Sequence, residues 1–365
     1  MDFTFSPEAD DAAALAATIL GDHTTSDRLA AAEATGRRFD PVLWKALADA
    51  GLLTLTTPED DGGAGLGFVE LCRVLVEVGR TVAPVPLATN AVARLLVVEH
   101  GTPDQLRTLH ADPAAVTTCA VAEEHEHAPR RPTTTAAPAD DGWVLTGTKY
   151  LVPAGTVATS FLVSATTPDG PAVLLVHTGD TGVSVAEQRT SDGDEAGLLE
   201  LDAVRLPADR LVGGAGAADR LLDLLAVATC ALQLGITEGA LALTAEYART
   251  REQFDRPIGT FQAVAQRLAD GYIDTRCQAL TLWQAAWRLA EQLPAAEAVA
   301  TATLWASEAG HRVAHTTVHV HGGVGIDVDG VAHRYYTAAM RFGAVRGGGT
   351  EQALHLGRLL ADAPA

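Results

Sequence analysis

The spacing of hydrophobic positions changes twice along the chain. Up to residue 115, apolar residues recur every three to four positions in short runs separated by polar or glycine-rich breaks, which predicts a series of helices. The runs are Asp10–Leu20, Ser26–Thr35, Pro41–Ala50, Phe68–Val78, Asn90–His100 and Pro103–His110. We therefore expect an N-terminal α-helical domain over residues 1–115.

Residues 116–212 follow a different pattern. Short apolar runs are bounded by Gly, Asp and Pro, which is typical of β-strands joined by turns. The predicted strands are Trp143–Val152, Ser160–Ala165, Ala172–Val176 and Leu198–Leu201. This stretch is expected to form a compact, β-barrel-like middle domain.

Long helical patterns return between residues 213 and 365. Leu221–Tyr247 and Val264–Leu289 are much longer than average helices and predict a C-terminal helical bundle. The stretch from 221 to 243 is apolar enough to raise the question of a membrane span. Asp223, Gln233 and Glu238 interrupt it, so we expect a helix buried in a bundle and no membrane contact. Periodicity alone thus indicates an α+β chain in the order α, β, α.

Charge and cysteine content narrow the class of protein. The chain has 46 acidic and 26 basic residues, a net charge of −20, which argues against nucleic acid as a partner. No charged segment followed by an apolar core opens the sequence, so no export signal is predicted. Four cysteines without metal or redox spacing predict buried thiols in a reducing cytoplasm. They are Cys72, Cys119, Cys230 and Cys277.

A charged turn between the two long helical patterns carries the clearest chemistry. Arg251 ends the first helix with a guanidinium suited to phosphate, and Phe254 offers a flat apolar face. Pro257 and Gly259 break the chain before Gln262 opens the second helix with a free amide. A helix–loop–helix corner would explain the break alone. The combination of guanidinium, aromatic ring and amide suits a nucleotide-containing cofactor.

This order of residues resembles the flavin-binding segment of the acyl-CoA dehydrogenase family, Arg-x-x-Phe-(Gly)-x-x-Ile-x-x-x-Gln. In the family this segment reaches across a subunit interface to another subunit's FAD. The matching positions here are Arg251, Phe254, Ile258 and Gln262, with Asp255 where the family usually has Gly. The resemblance implies FAD as cofactor and these four residues as contacts.

Two further segments carry the same resemblance. His319, Gly322 and Gly323 match the family's Gln-x-x-Gly-Gly about sixty residues later, with His319 at the Gln position. Taken alone they could be a glycine C-cap followed by a loop. Pro58–Gly65 is similar to a family turn that precedes a helix. The resemblance covers nearly the whole chain and implies the family's N-terminal helical domain, middle β domain and C-terminal four-helix bundle.

The residue that performs proton abstraction in the family has no clear counterpart. Family members remove the substrate's α-proton with a carboxylate, usually the Glu of a Tyr-Glu-Gly-Thr motif. That position is Arg346 when counted from Gly322, or Gly348 when the threonine is matched, and neither is a base. The catalytic residue is therefore unknown, and Glu351 is the nearest remaining carboxylate.

Some relatives carry the base on the helix that precedes the Arg-x-x-Phe segment. That position is Leu225 here, and Asp223 faces a different side of the helix. A residue favoured by the helix dipole explains Asp223 better than catalysis does. Asp223 and Glu351 nevertheless remain the two candidates for a displaced base.

The middle domain departs from the family as well. Ala122–Arg131 replaces Thr-Glu-Pro-x-x-Gly-Ser-Asp, and Glu123 matches by position only. Lys149–Val152 replaces the Trp-Ile-Thr/Ser strand that holds the flavin's edge. His125–His127 has no second ligand set with matching spacing, so we expect a solvated loop and no metal site. The segments that reach a neighbour's FAD are kept, whereas those that hold the flavin ring are not.

This asymmetry is similar to the base-lacking subunits of actinobacterial α2β2 acyl-CoA dehydrogenases that act on steroid side-chain CoA thioesters. The first hypothesis is a partner subunit of such an enzyme. The second is an active homo-oligomer with a displaced base, acting on an acyl-CoA or acyl-carrier substrate. The third is a non-enzymatic member of the fold that binds ligand or partner. The resemblance further implies an acyl-CoA thioester, a base-containing paralogue or a second copy, and an electron-transferring flavoprotein as partners.

Overall fold

The computed structural model describes residues 4–362, and packing divides the chain into two compact units. The helical unit comprises Met1–Ala31, Phe68–Ala83 and Thr229–Ala365. The sheet unit comprises Ala32–Gly67 and Pro84–Ala228. The domain boundaries at residues 115 and 212 stay a prediction.

The predicted helices are present, with ends that move by a few residues. Long periodic segments are located well from sequence because burial of one face requires the helical spacing. Over the described residues the α-helices are α1 Pro7–His23, α2 Ser26–Ala34, α3 Pro41–Asp49, α4 Phe68–Arg80, α5 Leu87–His100, α6 Pro103–His110, α7 Ala215–Thr250, α8 Gln262–Ala290, α9 Ala296–His321, α10 Ala332–Arg346 and α11 Gly349–Asp362.

Capping residues explain where three of the helices begin. Ser6, Asp40 and Thr102 each stand before a proline at the first helical position of α1, α3 and α6. Each side chain accepts a hydrogen bond from backbone N–H groups of the first turn. Proline loses nothing at this position because its missing N–H would have no partner within the helix.

Close backbone contact defines the crossing of α4 and α7 in the helical unit. A Cβ added to Gly235 on α7 would collide with the carbonyl oxygen of Val76 on α4. A Cβ added to Gly79 on α4 would likewise collide with the carbonyl oxygen of Leu232. The two helices can approach this closely only because glycine stands on both sides of the contact.

Helix α7 is also long and apolar enough to cross a membrane by length and composition. However, 72% of its most apolar window is buried inside the protein. A helix that is apolar on all sides is expected in the core of a helical bundle. We therefore interpret α7 as a core helix.

The sheet unit is built on one eight-stranded sheet with the order β6-β7-β3-β2-β4-β5-β8, to which β1 adds by pairing with β4. Its strands are β1 Thr117–Ala120, β2 Thr135–Ala139, β3 Gly142–Pro153, β4 Ser160–Thr167, β5 Gly170–His177, β6 Val183–Arg189, β7 Glu195–Pro207 and β8 Leu211–Gly213. Strands β4 and β5 are buried along most of their length and contribute to its core. Strands β1, β2, β6 and β8 were not predicted. Most residues of β2 and β6 are exposed, and β1 and β8 are only four and three residues long.

We expect Gly235→Ala to lower the free energy of unfolding by roughly 1–3 kcal/mol, because its Cβ has to displace the α4 backbone. Urea unfolding of the purified protein measures this. Gly343→Ala is the matched control, since a Cβ at Gly343 in α10 meets nothing within 4 Å. It should leave stability unchanged or raise it by about 0.5–1 kcal/mol through helix propensity. Equal stability of the two variants would contradict the proposed crossing.

Candidate cofactor site

A strained hairpin follows α7. Strands β9 Glu252–Gln253 and β10 Arg256–Pro257 pair antiparallel, which leaves Phe254 and Asp255 as a two-residue turn. Their φ angles are 55° and 62°, the left-handed region that hairpin turns of this type usually fill with Asn-Gly. For side chains other than glycine this region costs roughly 1–2 kcal/mol per residue. The turn projects Phe254, whose exposed fraction is 87%.

Contacts at the start of α8 hold the hairpin in place. The Phe254 ring meets the Phe261 ring edge-on at a centroid distance of 6.1 Å. The Arg256 guanidinium lies 4.2 Å above the Phe261 ring, a cation–π contact. At the base of the hairpin, the N–H of Ile258 donates to the carbonyl of Arg251 at 2.8 Å. Phe254 is thus a fixed and exposed aromatic surface.

The ends of α7 and α9 meet, which brings the two predicted cofactor segments to one end of the helical unit. The rings of Tyr247 and His321 stack at 4.3 Å with an interplanar angle of 22°. One turn earlier, the hydroxyls of Thr244 and Thr317 hydrogen bond at 3.0 Å. Arg251 follows directly on this end of α7, since its N–H donates to the Tyr247 carbonyl at 2.8 Å.

The glycine cradle, which we define as His319, Gly322 and Gly323, lies at the end of α9. A Cβ added to either glycine would meet nothing within 4 Å, so the backbone there faces open space. Gly322 has φ 64° and ψ −141°, which disfavours other residues. Gly325 differs, because its Cβ would lie 2.9 Å from the Val318 carbonyl oxygen. The first two glycines therefore leave room for a ligand, whereas the third is required for packing.

The side chains at this end suit a cofactor with phosphates and an aromatic ring system. Arg251, Gln262 and His319 are exposed, and within residues 4–362 their side chains have no hydrogen-bonding partner. Gln262 opens α8, whose N-terminus carries no side-chain cap. Helix N-termini and guanidinium groups are the two common protein sites for phosphate. With the open glycines and Phe254, this donor set fits FAD.

A buried ion pair occupies the part of the sheet unit where the sequence departs from the family. Lys149 is 0% exposed, and its Nζ donates to Glu123 at 2.8 Å and to Ser164 at 3.1 Å. The Glu123 carboxylate also accepts from the backbone and hydroxyl groups of Thr133 and Thr134. Every acceptor site of Glu123 is thereby engaged inside the protein. Sequence reasoning did not foresee that Lys149 points inward.

The pKa values of the pair follow from burial and hydrogen bonding. Burial opposes ionisation of Glu123, but hydrogen bonds from Lys149 and Thr133 outweigh it and lower the pKa to about 2. Burial lowers the pKa of Lys149 to about 8, although Glu123 opposes that change. A carboxylate with a lowered pKa and five donors is a poor proton acceptor. Glu123 therefore has a structural role.

The two positions that match the family's catalytic carboxylate in the sequence are Arg346 and Gly348. Arg346 is the last residue of α10, and its guanidinium donates to the Thr229 hydroxyl on α7 at 3.3 Å. The Gln352 amide in turn donates to the Arg346 carbonyl. Gly348, the position obtained when the threonine of the family motif is matched, is exposed and has no side chain. Neither residue can accept a proton.

The two carboxylate candidates differ in their surroundings. Asp223 belongs to the sheet unit and shares the Arg130 guanidinium with Asp219, at 3.0 and 2.7 Å. Burial raises the pKa of Asp223, and Arg130 opposes that rise. Glu351 belongs to the helical unit, is exposed, and lies against Gly347 in the first turn of α11. Asp223 is engaged in an ion pair, so Glu351 is the more accessible carboxylate.

Comparison with known proteins decides the family. A family model for the acyl-CoA dehydrogenase C-terminal domain matches residues 213–359, and one for the N-terminal domain matches residues 7–128. Acyl-CoA dehydrogenase FadE27 of Mycobacterium tuberculosis is 45% identical over 382 aligned positions that cover 100% of both chains. This chain belongs to the acyl-CoA dehydrogenase family. The resemblance stated from the sequence motifs is confirmed.

Two solved structures share the fold over nearly the whole chain. A chain in the crystal structure of the ChsE4-ChsE5 complex from Mycobacterium tuberculosis superposes with a TM-score of 0.95, 45% identity and 100% coverage of both chains. A variant of the Tcur3481-Tcur3483 steroid ACAD gives a TM-score of 0.92 and 44% identity over 97% of this chain and 98% of that chain. The predicted α+β class, with N-terminal helices, a central sheet and C-terminal helices, is confirmed.

Membership in the family also bears on the cofactor. Acyl-CoA dehydrogenase-fold proteins bind FAD, as solved complexes with FAD or FADH2 show. The individual contacts stay predictions for this chain: Arg251, Phe254, Ile258, Gln262, His319, Gly322 and Gly323. The structure brings them to one end of the helical unit, where they could contact a single cofactor.

The loop with two histidines lies on the surface. Glu124, His125 and Glu126 are exposed, which agrees with a solvated loop. Over the described residues, no group of three or more His, Cys, Asp or Glu side chains is arranged to hold a metal ion.

We expect the Glu123–Lys149 pair to show strong thermodynamic coupling. Lys149→Met should lower the free energy of unfolding by about 3–5 kcal/mol, because it leaves Glu123 charged and buried without a cation. Glu123→Gln should cost a similar amount through the uncompensated Lys149. The double variant should lie closer to wild type than the sum of the two single variants, as denaturant unfolding of all four proteins can test. Additive effects would contradict the coupling.

Proposed function

We propose that this chain is the partner subunit of a heteromeric, FAD-dependent acyl-CoA dehydrogenase. It provides one part of a shared FAD site, and a second family member provides the catalytic carboxylate. The observation that carries the proposal is Arg346, a guanidinium bonded to Thr229 where the family's base is expected. A chain that keeps a phosphate-binding donor set but has no base is suited to complete another subunit's site.

The similarity to a chain of the ChsE4-ChsE5 complex and to a steroid ACAD supports this assembly and the substrate class. We propose that the substrate is an acyl-CoA thioester in which the acyl group is the side chain of a steroid. The reaction is α,β-dehydrogenation of that thioester. We further propose that the enzyme is cytoplasmic and that an electron-transferring flavoprotein accepts its electrons. These last two assignments rest on the family resemblance and composition alone.

The residues of this chain have defined tasks in that reaction. Arg251 and Gln262 would bind the phosphates of FAD, and Phe254 would cover its apolar surface. Gly322 and Gly323 would allow the backbone to approach the cofactor. FAD, when bound, supplies the acceptor for the hydride that leaves the substrate's β-carbon. A carboxylate of the second subunit would take the α-proton, because Arg346, which matches the family's base position, is a permanent cation.

The first test is the visible absorption spectrum of the chain purified alone, with native mass spectrometry of the same sample. We expect a colourless chain that gains FAD only when it is co-expressed with a base-containing paralogue. A yellow homo-oligomer with one FAD per subunit would overturn the partner-subunit assignment. A chain that binds neither FAD nor a paralogue would favour a non-enzymatic member of the fold.

Variants of the exposed donor set test the shared site directly. In the FAD-containing complex, we expect Arg251→Ala and Phe254→Ala each to weaken FAD binding by about tenfold or more. One charge-assisted hydrogen bond, or one buried aromatic side chain, contributes about 1.5–3 kcal/mol to binding. Arg358→Ala removes a guanidinium from α11 outside the donor set and serves as control. Equal retention of FAD by all three variants would contradict the assignment.

The accessible carboxylate Glu351 allows a second candidate, an active homo-oligomer with a displaced base. Under the partner-subunit proposal, Glu351→Gln leaves the dehydrogenation rate of the complex unchanged. Loss of a general base costs roughly 10²–10⁴ in rate. A loss of that size in this variant, measured by substrate-dependent bleaching of the flavin, would support the second candidate.

A further inference from the structure

A cavity of about 180 Å³ lies at the β6 edge of the sheet, in the sheet unit, whereas the predicted cofactor motifs belong to the helical unit. Its walls are the end of α2 and the turn that joins β6 to β7. The two strands enter this turn as a pair, with Arg189 opposite Glu195. Within the turn, the Thr190 hydroxyl donates to Asp192 at 2.6 Å. The walls are therefore held by hydrogen bonds of the chain itself.

The side chains around the cavity are mainly acidic. Four carboxylates and one guanidinium line it: Glu33, Glu187, Asp194, Glu195 and Arg189. The Glu187 carboxylate accepts from Arg189 at 2.9 Å, and Asp194 is paired with Arg38 at 2.9 Å. The carboxylates still outnumber these two guanidinium groups. Such an excess of negative charge in one concave site attracts a cation.

Glu195 is buried in the wall of this cavity with incomplete hydrogen bonding. It is 6% exposed, and its Oε1 has no hydrogen-bonding partner over the described part of the chain. The backbone N–H of Thr156 donates to its carboxylate. Burial raises the pKa of Glu195 and Glu187 adds to the rise, whereas Arg37 and Thr156 oppose it. Because a buried carboxylate normally has several donors or a paired cation, its open oxygen indicates a donor from outside the chain.

We propose that this cavity binds a guanidinium group, whose N–H groups complete the hydrogen bonding of Glu195. A guanidinium has five donors in a planar arrangement that matches carboxylates, and it is more weakly hydrated than an ammonium. A metal ion fits less well, because no three His, Cys, Asp or Glu side chains are arranged to hold one among the residues that the structure describes. The guanidinium belongs either to a free small molecule or to an arginine side chain of an associated subunit.

The experiment measures binding of methylguanidinium to the full chain by saturation-transfer NMR of its methyl signal, at constant ionic strength. We expect a dissociation constant of about 1 mM, well within the ceiling for so small a ligand. Glu195→Gln should weaken binding about tenfold or more, because it removes the charge from a charge-assisted hydrogen bond and keeps the shape. Tetramethylammonium carries the same charge without N–H donors, so it should bind about tenfold more weakly than methylguanidinium.

Two further variants make the test independent of the buried position. Glu187→Gln removes an exposed charge from the cavity wall and should weaken binding about two- to fivefold, the effect of one partly screened charge. Glu200→Gln is the matched control, since Glu200 lies on the same strand as Glu195, is exposed and lies outside the cavity wall. It should leave binding unchanged.

Parallel measurements on the flavin-containing assembly, with a paralogue or with a second copy, separate the two sources. Equal binding to the free chain and to the assembly supports a small-molecule site. Binding to the free chain alone, with a weaker assembly in Glu195→Gln, supports an arginine of the associated subunit. No binding of methylguanidinium to either sample would overturn the proposal, and so would equal binding by wild type and Glu195→Gln. None of these results depends on FAD, so the proposed function is tested separately.

Discussion

The helical unit depends on close backbone contact around α7. Gly235 and Gly79 allow α4 to cross it, and Gly239 makes room for the ring of Tyr335. Gly310 on α9 leaves space for the side chain of Gln233, whose amide donates to the Ala339 carbonyl on α10 at 3.2 Å. A helix fixed from several sides has little freedom to shift along its axis. The position of its end, and so of Arg251 and the hairpin, is set by these contacts.

The hairpin at that end is costly for the isolated chain. Two non-glycine residues adopt left-handed conformations, and an aromatic ring remains 87% exposed. Among the described residues, the Phe254 ring meets the Phe261 ring edge-on. Local strain and an exposed large apolar side chain are common at sites that bind a ligand or a partner. Burial of the ring in a complex would offset the cost, which is the physical reason to treat the hairpin as a binding element.

The sequence predicts the helices well, because helical spacing is a local feature of the chain. Helical spacing locates α6, whose predicted ends are those observed. The start of α1 was predicted at Asp10, whereas the Ser6 cap begins the helix at Pro7. Strand β6 was not predicted because it lies at the sheet edge and has no buried residue. The stacking of Tyr247 on His321 could not be predicted, since it joins residues far apart in the chain. The same holds for Lys149: its spacing marks a strand, but only the tertiary structure shows that it pairs with Glu123 in the core.

Charge explains which parts of the family's site this chain can keep. With a net charge of −20, the protein repels a cofactor that carries two phosphates unless cations are concentrated locally. The chain has only two lysines: Lys45 is paired with Asp49, and Lys149 is buried. Anion binding would therefore rely on arginine, and at the predicted cofactor site Arg251 supplies a guanidinium at one end of the helical unit. In the strand that would hold the flavin's edge, the cation Lys149 is paired with Glu123 inside the protein. Under the proposed function, this chain would hold the phosphate end of FAD and a second subunit would hold the rest.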